Sequence, residues 1–115
     1  MRFVFFETPV FSRLLESYMD DGEYGVLRSE LMRAPEQGDL MPGTGGFRKL
    51  RWPDRRRHEG KRGGLRIIYY LLLEDRQIWL FTIYGKDERK DLTAKQCRLL
   101  GNAIREELEA RRIGA

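Results

Sequence analysis

The stretch GKRGGLRIIYY, residues 60–70, joins cations and glycines to a run of β-branched and aromatic side chains. This run predicts a β-strand, and side chains along a strand point alternately to its two faces. Leu65, Ile67 and Tyr69 therefore share an apolar face, while Arg66 lies on the opposite face. Because an unpaired charge is costly inside a core, Arg66 is either ion-paired or lies on a face that is not core. Its candidate ion-pair partners are Glu74, Asp87 and Glu88.

The spacing of apolar residues predicts the elements around this strand. Thr8, which precedes a proline, predicts a helix start, and Asp20 or Asp21 caps a second helix with Glu23 in a capping box. A last helix begins near Thr93. Two N-terminal helices cover one face of an antiparallel sheet, and one C-terminal helix leaves the other face incompletely covered. The predicted fold is α+β, β-α-α-β-β-β-α in one domain, residues 1–115, with strands at 2–6, 47–52, 65–73 and 78–84 and a loop at 35–46.

The positive charge of the chain is concentrated in one window. Residues 47–66 hold nine Lys or Arg and two acids, a charge of +7, whereas the whole chain carries only +4. The other 95 residues are therefore net negative, at −3. A local excess of this kind favours a binding site for a polyanion, and the alternative is a solvated basic loop.

Alternation along the second predicted strand places Phe47, Lys49 and Arg51 on one face. If this is also the Arg66 face, three cations converge near the rim of one sheet surface. Phe47 and Tyr70 would then add aromatic surface on which bases can stack. The hairpin loop between the two strands would bring further cations close to them: Arg55, Arg56, Arg57, Lys61 and Arg62.

Composition excludes several classes of protein. The longest apolar run, from Ile67 to Leu73, is too short for a membrane span, and the N-terminus does not have the pattern of a secretory signal. Cys97 is the only cysteine, so an intramolecular disulfide and a multi-cysteine zinc site are excluded. We expect no metal or other cofactor, no membrane and a reducing, cytoplasmic location.

Three stretches together with the order of elements carry a family resemblance: GTGGFRKLR at 43–51, GKRGGLRIIYYLL at 60–72 and LFTIYGKDERKDLTAKQ at 80–96. Over nearly the full chain, the sequence resembles the RelE/ParE superfamily of type II toxin–antitoxin toxins, and within it the HigB-like mRNA interferases. The resemblance implies ribosome-dependent, metal-independent cleavage of mRNA. It also implies a cognate antitoxin, which we expect to be a HigA-like helix-turn-helix protein.

The resemblance also implies which residues form the active site. The family's strand lysine and arginine fall on Lys49 and Arg51, the arginine of the next strand on Arg66, and the lysine after the last strand on Lys86. We expect Arg66 to stabilise the charge of the transition state. Lys49 or Lys86 could exchange protons only if neighbouring cations favoured its neutral form. The remaining cations of the window are expected to hold RNA phosphates: Arg48, Arg51, Arg55, Arg56, Arg57, Lys61 and Arg62.

The sequence departs from the pattern of the family at two positions. RelE relatives carry an arginine after the glycine–lysine pair and a tyrosine near the last helix, where this chain has Asp87 and Thr93. Arg89 is a candidate to replace that arginine, and His58 is the only histidine available for the proton transfers that other interferases assign to histidine. Two other functions fit the sequence: a ParE-like inhibitor of gyrase, and an RNA-binding module without catalysis.

Overall fold

The computed structural model describes residues 2–57, 60, 64–88 and 92–114. The helices are α1 (Pro9–Leu15), α2 (Asp21–Arg33) and α3 (Ala94–Gly114). The strands are β1 (Val4–Glu7), β2 (Asp39–Leu40), β3 (Phe47–Trp52), β4 (Leu65–Leu72) and β5 (Gln77–Gly85), and a short 3-10 turn covers Arg55–Arg57. In this described part of the chain, no helix has the length and apolarity to cross a membrane.

The five strands form one sheet in the order β1-β5-β4-β3-β2. The predicted α+β fold and the antiparallel run of β3, β4 and β5 are confirmed. Two features differ from the prediction. The strand β1 pairs with β5 in parallel, and the predicted loop at 35–46 contains the short strand β2, which pairs with β3. Neither pairing could be predicted from the periodicity of the sequence. The strand β2 has only two residues, and β1 pairs with a strand that is distant in sequence.

The helices begin where the sequence predicts. The Thr8 hydroxyl accepts a hydrogen bond from the Phe11 amide at 3.1 Å, and the Asp20 carboxylate accepts one from the Glu23 amide at 2.8 Å. At the start of α3, Thr93 accepts from the Gln96 amide at 3.1 Å, while the Gln96 side chain accepts from the Thr93 amide at 2.8 Å. Each cap satisfies an amide that has no partner within its helix.

The sheet carries a core on each face. The larger core lies between the sheet and the helices α1 and α2, and it contains Leu65, Ile67 and Tyr69, as their alternation predicts. The smaller core contains Ile68 and Ile104 and lies between the opposite face and α3. A single helix therefore covers the second face.

The glycine loop, residues 41–46, fixes the position of α3 on that face. Gly101 faces the loop so closely that a Cβ atom there would lie 3.2 Å from the Thr44 carbonyl oxygen. Thr44 is fully buried, and its hydroxyl donates to the Met41 carbonyl at 2.7 Å and accepts from the Phe47 amide at 3.1 Å. The lack of a side chain at Gly101 thus lets the helix pack directly against the loop backbone.

Candidate nucleic-acid interface

The register of β3 and β4 brings the predicted cations onto one face. Arg51 lies directly opposite Arg66, and Lys49 lies opposite Ile68. Side chains of directly opposed residues project to the same face of a sheet, with Cβ atoms about 5 Å apart. The sequence-based expectation that Lys49, Arg51 and Arg66 share a face is therefore confirmed.

Arg66 differs from the others in its exposure. Only 4% of its surface is accessible, and its guanidinium donates to the Leu65 carbonyl at 3.0 Å. Its neighbour across the ladder on β5, Tyr84, is 6% exposed. The expectation of an open position at the rim is thus wrong for Arg66, because alternation predicts the face of a residue but not what covers that face.

Lys86 directly follows the end of β5 and is exposed. Its amide donates to the Gly64 carbonyl at 3.0 Å, which extends the β4–β5 ladder past the last register pair, Leu65 and Gly85. Gly64 has no room for a side chain, because a Cβ atom would lie 2.3 Å from the Trp52 carbonyl oxygen. The close approach of the ends of β3 and β4 therefore determines the backbone position of Lys86.

Lys49 and Arg51 line an open depression of about 270 Å³, which we call the β3 pocket. Asp39, which lies opposite Lys49 in the β2–β3 register, contributes a carboxylate to it, and Cys97 borders it from α3. Asp39 was missed in the sequence because β2 was predicted as loop. The described residues contain no cluster of three or more potential metal ligands.

Arg48 lies on the opposite face from Lys49. Its guanidinium donates to the carbonyl oxygens of Glu36 and Gly38 at 2.9 and 2.8 Å. These bonds hold the segment between α2 and β2 against β3. The structure therefore places Arg48 apart from the β3 pocket, in a role that stabilises the fold.

Two arginines of the hairpin loop also contact the helical side of the molecule. Arg56 donates to both carboxylate oxygens of the buried Asp54, at 3.1 and 2.9 Å, and also to the Ser17 carbonyl. Its guanidinium lies 4.6 Å from the centre of the Tyr18 ring, and Arg55 is 3.6 Å from Glu23. They do not converge with Lys49 and Arg51. The positions of His58, Lys61, Arg62 and Arg89, and the side chain of Arg57, lie outside the described residues.

A network of contacts around Tyr18 connects the segments that follow α1, β3 and β5. The Tyr18 hydroxyl donates to both carboxylate oxygens of Glu88, at 3.1 and 2.9 Å. Burial raises the pKa of Tyr18, and the hydrogen bond to the Glu88 carboxylate raises it further. The hydrogen bond to Asp54 raises the pKa of Arg56. Arg56 is thus paired with Asp54, and the Glu88 carboxylate is hydrogen-bonded to Tyr18.

The aromatic residues near the pocket belong to the core. Phe47 is fully buried and packs edge-on against Tyr70 and Phe81, with ring centres 5.3 and 4.6 Å apart. The prediction that Phe47 offers a surface for base stacking is therefore wrong. Tyr70 keeps a partly accessible ring.

The fold has known counterparts, although no family model matches the chain. The structure is similar to a mutant of the E. coli toxin RelE in the free state, with a TM-score of 0.52 and 11% identity over 78% of this chain and 90% of that one. The chain has the RelE fold. An archaeal RelE–RelB complex from Pyrococcus horikoshii OT3 matches with a TM-score of 0.48 and 20% identity, over 75% of this chain and 97% of that one. At these identities, the likeness concerns the RelE fold alone.

Proposed function

We propose that this protein is the toxin of a type II toxin–antitoxin pair and cuts mRNA on the ribosome without a metal ion. The observation that carries the proposal is the direct opposition of Arg51 and Arg66 on one sheet face. Two directly opposed arginines concentrate positive charge at one place on the sheet, and such a concentration favours the binding of an anion. The RelE fold supports an RNA substrate, and the HigB-like stretches of the sequence support cleavage on the ribosome.

In this proposal, the exposed cations hold the phosphate that is cut. Neither Arg51 nor Lys86 has an ion pair within the described residues, so both charges are available to phosphate oxygens. Arg66 lies across the β3–β4 ladder from Arg51 and adds positive charge from a buried position, where water screens it less. This charge stabilises the additional negative charge of the pentacoordinate phosphorus in the transition state.

The cleavage step needs a proton acceptor and a proton donor. Asp39 is the one carboxylate among the described residues that line the β3 pocket, and it takes the proton of the ribose 2′-hydroxyl. The 2′-oxygen then bonds to the adjacent phosphorus, and the bond from phosphorus to the 5′-oxygen breaks. The ammonium of Lys49 or Lys86 gives a proton to that leaving oxygen. The products are a 2′,3′-cyclic phosphate and a free 5′-hydroxyl.

The proposed partners follow from this activity. The protein acts on translating ribosomes, hence in the cytoplasm, and a cognate antitoxin of the HigA-like helix-turn-helix class holds it inactive. Among the solved structures, the Pyrococcus RelE is in complex with RelB.

The test adds purified protein to a cell-free translation reaction and maps the 5′ ends of the mRNA. We expect new 5′ ends that depend on ribosomes, and a loss of about 100-fold in cleavage rate for Arg51→Ala and for Lys86→Ala. Arg33→Ala removes the same charge from an arginine on α2 that is paired with Glu30, and it should cut normally. Arg66→Ala is a poorer probe because truncation of this buried side chain also affects stability.

The same reaction separates the two other functions. A gyrase inhibitor would leave the mRNA intact and block DNA supercoiling in a parallel assay with purified gyrase. An RNA-binding module would retain RNA without producing new ends. Either result would refute the proposed cleavage.

A further inference from the structure

A second cleft lies between α3 and the glycine loop, next to the β3 pocket. It has a volume of about 280 Å³. Its polar side chains are Arg98, Asn102 and Arg105, and Gly43 and Gly45 form its opposite wall. None of the residues that line it is acidic.

The wall formed by the loop exposes backbone rather than side chains. Gly43 and Gly45 have φ angles of 78° and 79°, in the left-handed region that favours glycine. Both residues are exposed, and their amides donate to no acceptor within the described residues. Free backbone amides beside arginine side chains are a common feature of sites that bind phosphate oxygens.

The charge of α3 points to the same kind of ligand. Its first part, residues 94–105, carries Lys95, Arg98 and Arg105 and no acid. Lys95, in the first turn of α3, opposes the helix dipole, and the same turn holds no acid that would interact favourably with the dipole. Within the described residues, Arg98 has no ion pair and Arg105 bonds only to the neutral Asn102. A set of cations without an ion pair in the described part of the chain is available to an anionic ligand.

The cleft and the β3 pocket adjoin each other along one seam. Pro42 and Cys97 line the β3 pocket, whereas the next residues, Gly43 and Arg98, line the cleft. Consecutive Cα atoms are about 3.8 Å apart, so the two sites lie side by side. An RNA strand carries one phosphate on every nucleotide and can occupy both sites at once.

We infer that this cleft binds a backbone phosphate of the same RNA strand whose scissile phosphate lies in the β3 pocket, an inference that rests on the proposed function. Arg98 and Arg105 grip the phosphate oxygens, and the loop amides complete the site. Because these groups contact the backbone rather than the bases, the cleft strengthens binding without selecting a sequence.

The test uses a short single-stranded RNA with 2′-O-methyl groups, which blocks cleavage, and measures its dissociation constant at several salt concentrations. The double variant Arg98→Ala/Arg105→Ala should bind about tenfold more weakly. Its plot of log affinity against log salt should be less steep by about 0.7 for each lost phosphate contact. The matched control is Arg112→Ala, which removes a charge from α3 outside the cleft, where Arg112 pairs with Glu109, and it should bind normally. Circular dichroism checks that each variant folds.

The possible outcomes separate this inference from the proposed function. Unchanged affinity and salt slope in the double variant would overturn the inference even if the protein cuts mRNA. Absence of binding to the RNA by the unmodified protein would also overturn it. If the double variant keeps its RNA affinity but loses affinity for an acidic antitoxin, the cleft is a protein-binding surface and the inference is wrong. Weaker RNA binding by the variant, in a protein that leaves mRNA intact, would refute the proposed cleavage and support the cleft.

Discussion

Two groups of cations flank β3, and they differ in what surrounds them. On the helical side, Arg56 is bonded to both oxygens of the buried Asp54 and lies against the Tyr18 ring. On the side of α3, Arg51 and Lys86 have no ion pair within the described residues. The +7 window of sequence thus supplies the structural group and Arg51, whereas Lys86, the other cation that is available to a ligand, follows β5.

This difference shows that charge density along a sequence does not by itself identify a binding site. An arginine that is matched by a buried acid stabilises the fold, and its charge is largely compensated at short range. The charge of an arginine without such a partner remains available to attract an external anion. The two groups should therefore respond in opposite ways to substitution, one in stability and the other in activity.

The largest effect should come from Asp39, the acid that lines the β3 pocket together with Lys49 and Arg51. We expect Asp39→Asn to lower the cleavage rate by about 100-fold or more, because it removes the proton acceptor. The same change should strengthen binding of a 2′-O-methyl RNA, because a negative charge leaves the phosphate site. Single-turnover cleavage on ribosomes and RNA titrations measure the two effects separately.

The opposite result would change the comparison. If Asp39→Asn binds RNA more tightly and cuts at the normal rate, Asp39 only moderates the charge of Lys49. The proton acceptor would then be another group. Asp21→Asn, a change at an exposed acid at the start of α2, serves as the matched control and should alter neither quantity.

The second effect concerns stability on the helical side. Asp54→Ala should lower the free energy of unfolding by about 2 kcal/mol, because Asp54 is 1% exposed and accepts two hydrogen bonds from Arg56. Its cleavage rate per folded molecule should stay normal. Urea unfolding gives the free energy, and Glu109→Ala, which breaks the exposed pair with Arg112, should cost well under about 1 kcal/mol. An equal cost for the two variants would show that the hydrogen bonds between Asp54 and Arg56 do not stabilise the fold.

Most of the fold was predictable from the sequence because its signals are local. Helix caps such as Thr8 and Asp20 and the alternation through Leu65, Ile67 and Tyr69 each depend on a few neighbouring residues. The pairing of β1 with β5 depends on residues more than 70 positions apart, and β2 is too short to show a period. These two features required the structure.

The site was predictable in part for the same reason. Alternation placed Lys49 and Arg51 on one face of β3, and the register of β3 and β4 shows that Arg66 shares this face. It could not show that Arg66 is buried or that Arg56 turns toward Asp54, because burial and pairing depend on elements that are distant in sequence. Charge alone therefore could not separate the cations that lie together on the sheet from those that lie apart.

The smallest expected effect tests whether Glu7, a carboxylate on the helical side, holds the hydroxyl proton of Tyr24. The Tyr24 hydroxyl donates to Glu7 at 2.5 Å. Burial raises the pKa of Tyr24 above its usual 10.0, and the bond to the Glu7 carboxylate raises it further. Above about pH 10 the unfolded chain has lost this proton while the folded protein retains it, so the free energy of unfolding falls as the pH rises. Below that pH the contribution of Tyr24 is complete.

Tyr24→Phe should therefore cost about 1 kcal/mol near neutral pH, the value of the lost hydrogen bond. Its free energy of unfolding should then fall less steeply than that of the unmodified protein between about pH 9.5 and about pH 11. Urea titrations of both proteins over this range measure the difference in slope. Parallel curves would show that Glu7 does not hold the Tyr24 proton, and the helical side would lose one of its matched charges.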